Sequence, residues 1–130
     1  MAFTDETTIR THTGWQNTDL VPSGLITQRI QNAHAALLVE IDPAYHESTD
    51  PLLILAETEL ATAYLLRSLA TEAGFEERDL RTSNLTLRAG ARVENLNELA
   101  GAEEASAWRH ARPFLRRGTS RVPLRLVTGS

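Results

Sequence analysis

Apolar residues recur at spacings of three and four along most of the chain, and this pattern predicts helices. The clearest stripe consists of Ile26, Ile30, Ala33, Leu37 and Ile41. With Ser23 as its N-cap, this stripe predicts a helix from Gly24 to Ile41. A shorter helix is predicted before it, with Thr4 as its N-cap and Gly14 at its C-terminal end.

The third predicted helix has the strongest pattern and runs from Pro51 to Ala73, a length of about 34 Å. Asp50 is a good N-cap before it, and Gly74 fits the left-handed position after it. A narrow polar stripe on the helical wheel contains Glu57, Tyr64, Ser68 and Thr71. Leucine and alanine cover most of the remaining circumference, which two small neighbouring helices can hardly bury. We therefore expect other subunits to complete the burial of this helix.

Glu59 falls among leucines on the apolar side of the third helix. A buried carboxylate needs a charged or hydrogen-bonding partner, because burying an unpaired charge is costly. We expect this partner to be an arginine from the basic C-terminal part of the same subunit or of a neighbouring one. Glu59, Arg109 and Arg112 are therefore predicted inter-subunit contacts.

The pattern changes after Gly74. Apolar and polar residues alternate from Leu85 to Val93, which suggests a loose β-hairpin. A last helix is predicted to begin around Asn95–Leu99 and to run to about Arg112, with Gly101 as an interruption near its start. The tail beyond has no helical period and is predicted to be extended.

These elements predict a mainly α fold, in which a small helical bundle surrounds one long central helix. A short β-hairpin or extended loop precedes the last helix, and an extended C-terminal arm follows it. We divide the chain into a helical domain, residues 1–115, and the arm, residues 116–130.

Composition narrows the classes of protein that are possible. The chain has 130 residues, a single-domain length, and no cysteine, which excludes disulfides, thiolate metal sites and cysteine nucleophiles. Charged residues interrupt the longest apolar stretch, so a membrane span is not expected. The first residues have no basic region followed by an apolar run, so we expect no secretory signal. An intracellular or virion-internal protein is the simplest interpretation.

The sequence has no pattern typical of catalysis or of a cofactor site. The four histidines are scattered singly, without the spacing of metal ligands, and no glycine-rich phosphate loop occurs. His34 borders an apolar helix face, where a packed structural histidine is expected. We therefore predict a protein that is not an enzyme and that holds no metal or cofactor.

Charge is distributed unevenly along the chain. Residues 1–80 hold 13 acidic residues and 4 arginines, whereas residues 81–130 hold 4 acidic residues and 9 arginines. A basic run covers the end of the last helix and the arm: Arg109, Arg112, Arg116, Arg117, Arg121 and Arg125. It fits a solvated helix end, an arm that binds an acidic partner, or contact with DNA phosphates. The acidic remainder of the chain argues against a dedicated DNA-binding protein.

The order of motifs in this chain resembles that of the head–tail connector (adaptor) proteins of long-tailed bacteriophages. Those chains open with an aromatic residue and threonine before a short helix, here Phe3-Thr4. A helix of spaced isoleucines follows, and then a segment that reads Asp50-Pro51-Leu52-Leu53 through Leu65-Leu66-Arg67-Ser68-Leu69-Ala70. A loop and a last helix with a tryptophan, here Trp108, complete the order. The resemblance covers roughly residues 3–115 and rests on helix-packing patterns.

The resemblance implies a homo-oligomeric ring, usually of twelve subunits, between the portal and the next neck or tail-completion protein. DNA would pass through its channel without specific binding. The protein would be located in the neck of the virion, and in the host cytoplasm during assembly. The arm would then bind the portal or the neck protein through residues that we predict to be Arg116, Arg117, Arg121, Val122, Leu124, Arg125 and Leu126.

A different class of function is also open. The chain could be a small helical nucleic-acid-binding or regulatory protein that uses its Arg-rich C-terminal segment.

Overall fold

A computed structural model describes residues 2–72, 75, 77–89 and 95–116, without the side chains of residues 77, 88 and 89. Its helices are α1 (Glu6–Thr13), α2 (Ser23–Glu40), α3 (Pro51–Leu69), α4 (Glu77–Arg81), α5 (Asn84–Ala89) and α6 (Leu96–Ala111). Two 3₁₀ turns, Pro43–Tyr45 and Arg112–Phe114, follow α2 and α6. The predicted mainly α fold is therefore confirmed. No described helix has the length and apolar character needed to cross a membrane.

The first two helices lie close to their predicted positions, but their N-caps differ from those predicted. Asp5, and not Thr4, caps α1: its extended backbone lets its carboxylate accept a hydrogen bond from Thr8 N at 2.8 Å. That hydrogen bond lowers the pKa of Asp5. Gly14 ends α1 in the left-handed conformation, with φ of 80°, as predicted. Ser23 is the first residue of α2 instead of its N-cap, and its hydroxyl donates to the Glu6 carboxylate.

Helix α3 forms the centre of the domain and packs mainly against α6 and α2, with α1 on a further side. Twelve of its 19 residues are buried. The expectation that other subunits must cover this helix was therefore wrong, because the chain's own helices surround it. Asp50 and Pro51 begin the helix as predicted, whereas it ends at Leu69, short of the predicted Ala73. Ala73 and Gly74 lie outside the described residues.

The polar stripe predicted on α3 does not face solvent along its whole length. Glu57 is fully buried, although Tyr64 and Ser68 are half-buried and Thr71 is exposed. The segment before α1 crosses the stripe at Glu57, where the backbone N–H groups of Phe3 and Thr4 donate to the carboxylate. A helical wheel contains no information about which other segment will cover a given face.

The hairpin predicted from Leu85 to Val93 was wrong in the part that the structure describes. Leu85 and Leu87 lie in helix α5, where Leu85 is fully buried and Leu87 is 82% exposed. Residues two apart point in opposite directions on a helix but to the same face of a strand, so their burial agrees with the helix. Residues 90–94 lie outside the described part of the chain.

Helix α6 agrees closely with its prediction. It begins after Asn95, whose side chain caps it, and runs to Ala111. Gly101 does not interrupt the helix, since it lies within α6, and a Cβ at this position would meet no neighbouring atom within 4 Å outside its own helix turn.

Candidate functional site

The buried carboxylates of the domain each contact a histidine on another helix. Among the glutamates whose side chains the structure describes, three are buried, namely Glu57 and Glu59 of α3 and Glu103 of α6. Their partners are His34 of α2, His110 of α6 and His12 of α1. The three pairs therefore join α2 to α3, α6 to α3, and α1 to α6.

Glu57 lies where α2, α3 and the N-terminal segment meet. Its Oε1 accepts hydrogen bonds from the backbone N–H groups of Phe3 and Thr4, at 2.7 and 2.9 Å. Its Oε2 lies 2.7 Å from Nδ1 of His34. Burial raises the pKa of Glu57, and the hydrogen bonds from Thr4 N and His34 oppose this rise. The carboxylate thus holds two separate segments of the chain on α3.

The environment of Phe3 and Thr4 strengthens this attachment. The Phe3 ring packs edge-on against the His34 imidazole, with centroids 5.1 Å apart. The hydroxyls of Thr4 and Thr58 lie 2.7 Å apart in a buried hydrogen bond. His34 is thus a packed structural histidine, as its place on α2 predicted.

Glu59 is buried as predicted, but its described partners are not arginines. Its Oε2 accepts a hydrogen bond from the Ser106 hydroxyl at 2.7 Å, and its Oε1 lies 2.7 Å from Nδ1 of His110. Helix α6 packs along α3 and turns Ser106 and His110 towards the carboxylate, so these take the place expected for an arginine of the described part of the chain. Contact of Glu59, Arg109 and Arg112 with another subunit stays a prediction. Arg109 and Arg112 are exposed instead.

The third pair joins the first helix to the last. Nε2 of His12 lies 3.0 Å from Oε1 of Glu103, and both side chains are almost entirely buried. Spacing along the sequence gives no indication of these pairs, whose partners lie 91, 23 and 51 residues apart. The signal available in the sequence was the presence of two carboxylates within a helix that is apolar round most of its circumference.

The chemistry of these pairs is that of helix-to-helix attachment. Each buried carboxylate is satisfied by partners within the domain, as a buried charge requires. In the part of the chain that the structure describes, no group of three or more histidine and acidic side chains could hold a metal ion. The fourth histidine of the chain, His46, lies outside these three pairs, and its Nε2 lies 3.3 Å from the carbonyl oxygen of Ile41.

The C-terminal end of the domain has a different character, because its charged side chains face solvent. Leu115 forms an antiparallel bridge with Ile41. Asp42 N donates to Phe114 O at 2.9 Å, and Arg116 N donates to Glu40 O at 2.8 Å. The chain is therefore fixed to the C-terminal end of α2 up to Arg116.

Exposed apolar side chains surround this point. Val39 is 66% exposed, and Tyr45 and Leu52 are also exposed. The Tyr45 ring packs edge-on against Phe114, with centroids 5.1 Å apart. We call this region the connector end: Val39, Tyr45 and Leu52 together with the exposed arginines Arg109, Arg112 and Arg116. Apolar surface with arginine nearby is the composition expected at a protein interface.

The remaining predicted docking residues lie beyond this end. Arg117, Arg121, Val122, Leu124, Arg125 and Leu126 are outside the described residues, so their role stays a prediction. Arg116, the first residue of the predicted arm, is held by its backbone, and its Nε donates to Ile41 O at 3.3 Å.

Comparisons with known proteins give no relative from which a role could be transferred. No family model, curated protein or solved structure matches this chain.

Proposed function

We propose that this chain is a structural head–tail adaptor of a tailed phage. It forms a ring between the portal and the next neck protein and continues the DNA channel. The proposal starts from the resemblance in sequence, whose Phe3-Thr4 motif lies just before α1 and whose later motifs fall mainly on α2, α3 and α6.

The observation that carries the proposal is the contrast between the interior and the connector end. The buried carboxylates are satisfied by pairs within the domain. The connector end combines exposed apolar residues with three exposed arginines. The chain then continues for 14 residues with three further arginines and alternating apolar positions. Such a chain end suits docking on an acidic partner, including addition of a strand to an exposed sheet edge.

Deletion of residues 117–130 tests the proposal. The truncated chain should no longer attach to portal rings, while its far-ultraviolet circular dichroism should stay unchanged, because the described helices end before Arg116. Attachment is measured by co-sedimentation with assembled portal rings of a tailed phage. A chain that lacks only residues 127–130 is the control and should still attach.

Two results would count against the adaptor. Full attachment of the truncated chain would show that the arm is not the docking element, and failure of the complete chain to attach would remove the adaptor role itself. A collapse of helicity on truncation would show that the arm belongs to the core.

The exposed arginines of the connector end also favour a second candidate, a protein that binds nucleic acid. The two functions differ in salt dependence, since each phosphate contact steepens the loss of DNA affinity with salt. A monomer that binds duplex DNA with a steep salt slope, and does not attach to portal rings, would support the second candidate.

A further inference from the structure

A groove with apolar walls and an acidic rim lies at the end of the domain away from the connector end, and it encloses a cavity of about 490 Å³. We define the groove by six of its lining residues, which are Leu20, Leu25, Leu69 and Phe75 on the walls and Asp19 and Glu72 on the rim. Leu20, Leu25 and Phe75 are half-buried, and both carboxylates are exposed. An extended segment with one apolar face and basic side chains would complement this surface.

The arm, residues 116–130, has these features. Leu124 and Leu126 are two residues apart, so in an extended conformation they lie on one face, with Arg125 between them on the other. Residues 105–130 contain six arginines and no acidic residue, whereas residues 1–104 contain all 17 acidic residues. Charge complementarity therefore favours contact between the arm and the acidic rim of the groove.

The arm begins where it can reach the groove of its own chain. The antiparallel bridge between Leu115 and Ile41 directs the chain at Arg116 opposite to the direction in which it leaves α2. Helix α2 places Leu25, on the groove wall, about 24 Å from Ile41. The chain from Arg116 to Leu126 reaches about 33 Å when extended, so it spans that distance.

Attachment to the same chain also favours this groove over that of another molecule. A short flexible linker presents the arm to its own groove at an effective concentration in the mM range. A second molecule would have to be present at a similar concentration to compete for the arm. The contact is therefore expected within one chain.

We propose that residues 124–126 of the arm bind in the groove of their own chain and keep the arm from the portal until the portal competes for it. Leu124 and Leu126 pack on the apolar walls, and Arg125 lies beside Glu72. These three arm residues are among those predicted to dock on the portal, so they cannot occupy both places at once. The contact is thus autoinhibitory. It deepens the proposed function by naming its regulation, and it rests on that function.

A distance within one chain tests the contact without a portal. Because the chain has no cysteine, nitroxide labels attach specifically at Thr71→Cys and Val127→Cys in the full-length protein. Thr71 is exposed and precedes Glu72 on the groove rim. Pulsed electron spin resonance should give a narrow distribution of short distances. The distribution should stay the same when the labelled chain is diluted with unlabelled chain.

Charge reversal in the labelled chain tests the ion pair. Glu72→Arg and Arg125→Glu should each lower the ratio of bound to released arm about fivefold, because repulsion replaces an exposed ion pair. The double variant, with both reversals, should recover most of the short distances. Arg121→Glu is the control in the arm, since the chain from Arg116 reaches only about 17 Å at that residue. Glu47→Arg, on an exposed residue of the α2–α3 connection, is the control in the domain.

Portal attachment tests the inhibitory role. Glu72→Arg should lower the apparent dissociation constant for assembled portal rings by up to about fivefold, because a larger fraction of chains then has a free arm. In the chain that lacks residues 117–130, the same substitution should change nothing. Co-sedimentation over a range of portal concentrations gives the constants.

Three outcomes would overturn the inference. They are a broad distance distribution in the unsubstituted chain, short distances that are lost on dilution with unlabelled chain, and a Glu72→Arg variant that releases the arm without tighter portal attachment. The second outcome would place the arm in the groove of another molecule. The distances are measured without a portal, so failure of the adaptor function is seen separately, as a lack of attachment even when the arm is released.

Discussion

Glu57 and His34 contact each other across the interface between α2 and α3, with Oε2 and Nδ1 2.7 Å apart. The other oxygen of the same carboxylate accepts two backbone hydrogen bonds from Phe3 and Thr4. A single buried side chain thus holds α2 and the N-terminal segment on the central helix. Because burial raises its pKa, its ionised form is less favourable in the folded protein than in the unfolded chain.

The first prediction concerns the pH dependence of stability. A carboxyl whose pKa is raised on folding contributes stability below its ordinary value of 4.5, and this contribution is lost as pH rises through the folded pKa. The unfolding free energy of the protein should therefore rise relative to that of Glu57→Gln as pH falls from neutral towards 4.5. Urea unfolding followed by circular dichroism measures both.

Glu47→Gln removes an exposed carboxylate and serves as the control, which should show no such relative change. His34 is the titratable side chain bonded to Glu57, so the comparison is repeated in a His34→Gln background to separate its titration. Parallel pH profiles for the protein and Glu57→Gln would refute the prediction.

The second prediction concerns the pair that joins α3 to α6. His110→Ala should lower the unfolding free energy by about 1–3 kcal/mol, because it leaves the buried Glu59 carboxylate with fewer hydrogen bonds. Arg109→Ala removes the neighbouring exposed side chain of the same helix and should change the unfolding free energy by less than about 0.5 kcal/mol. Chemical denaturation of both variants measures the difference. If both variants lose the same unfolding free energy, His110 does not stabilise the buried Glu59 carboxylate.

The third prediction distinguishes the helix α5 from the hairpin that the sequence suggested. Leu85→Ala should cost about 2–5 kcal/mol, because it removes a fully buried side chain. Leu87→Ala should cost little, because Leu87 is exposed. Thermal or urea unfolding of the two matched variants gives the values. Similar large costs for both would indicate that the two leucines share one buried face, as they would in a strand.

Local signals in the sequence predicted the helices whose patterns are long and well capped. Asp50 and Pro51 fix the start of α3, Gly14 ends α1, and Asn95 lies at the start of α6. These features depend on neighbouring backbone groups, and local chemistry therefore suffices to predict them. The alternation from Leu85 to Val93 gave a wrong prediction, because a short stretch of small and apolar residues fits the period of a helix as well as that of a strand.

The sequence by itself thus determined the helical class, the order of the long helices and the burial of Glu59. The partners of the buried carboxylates were decided only by the tertiary structure, which brings His110 and Ser106 to Glu59 and places the N-terminal segment over Glu57. The physical reason is that helical periodicity gives the direction of a side chain, whereas its partner depends on which distant helix packs against that face. Packing within the chain likewise covered α3, whose apolar circumference had suggested burial by other subunits.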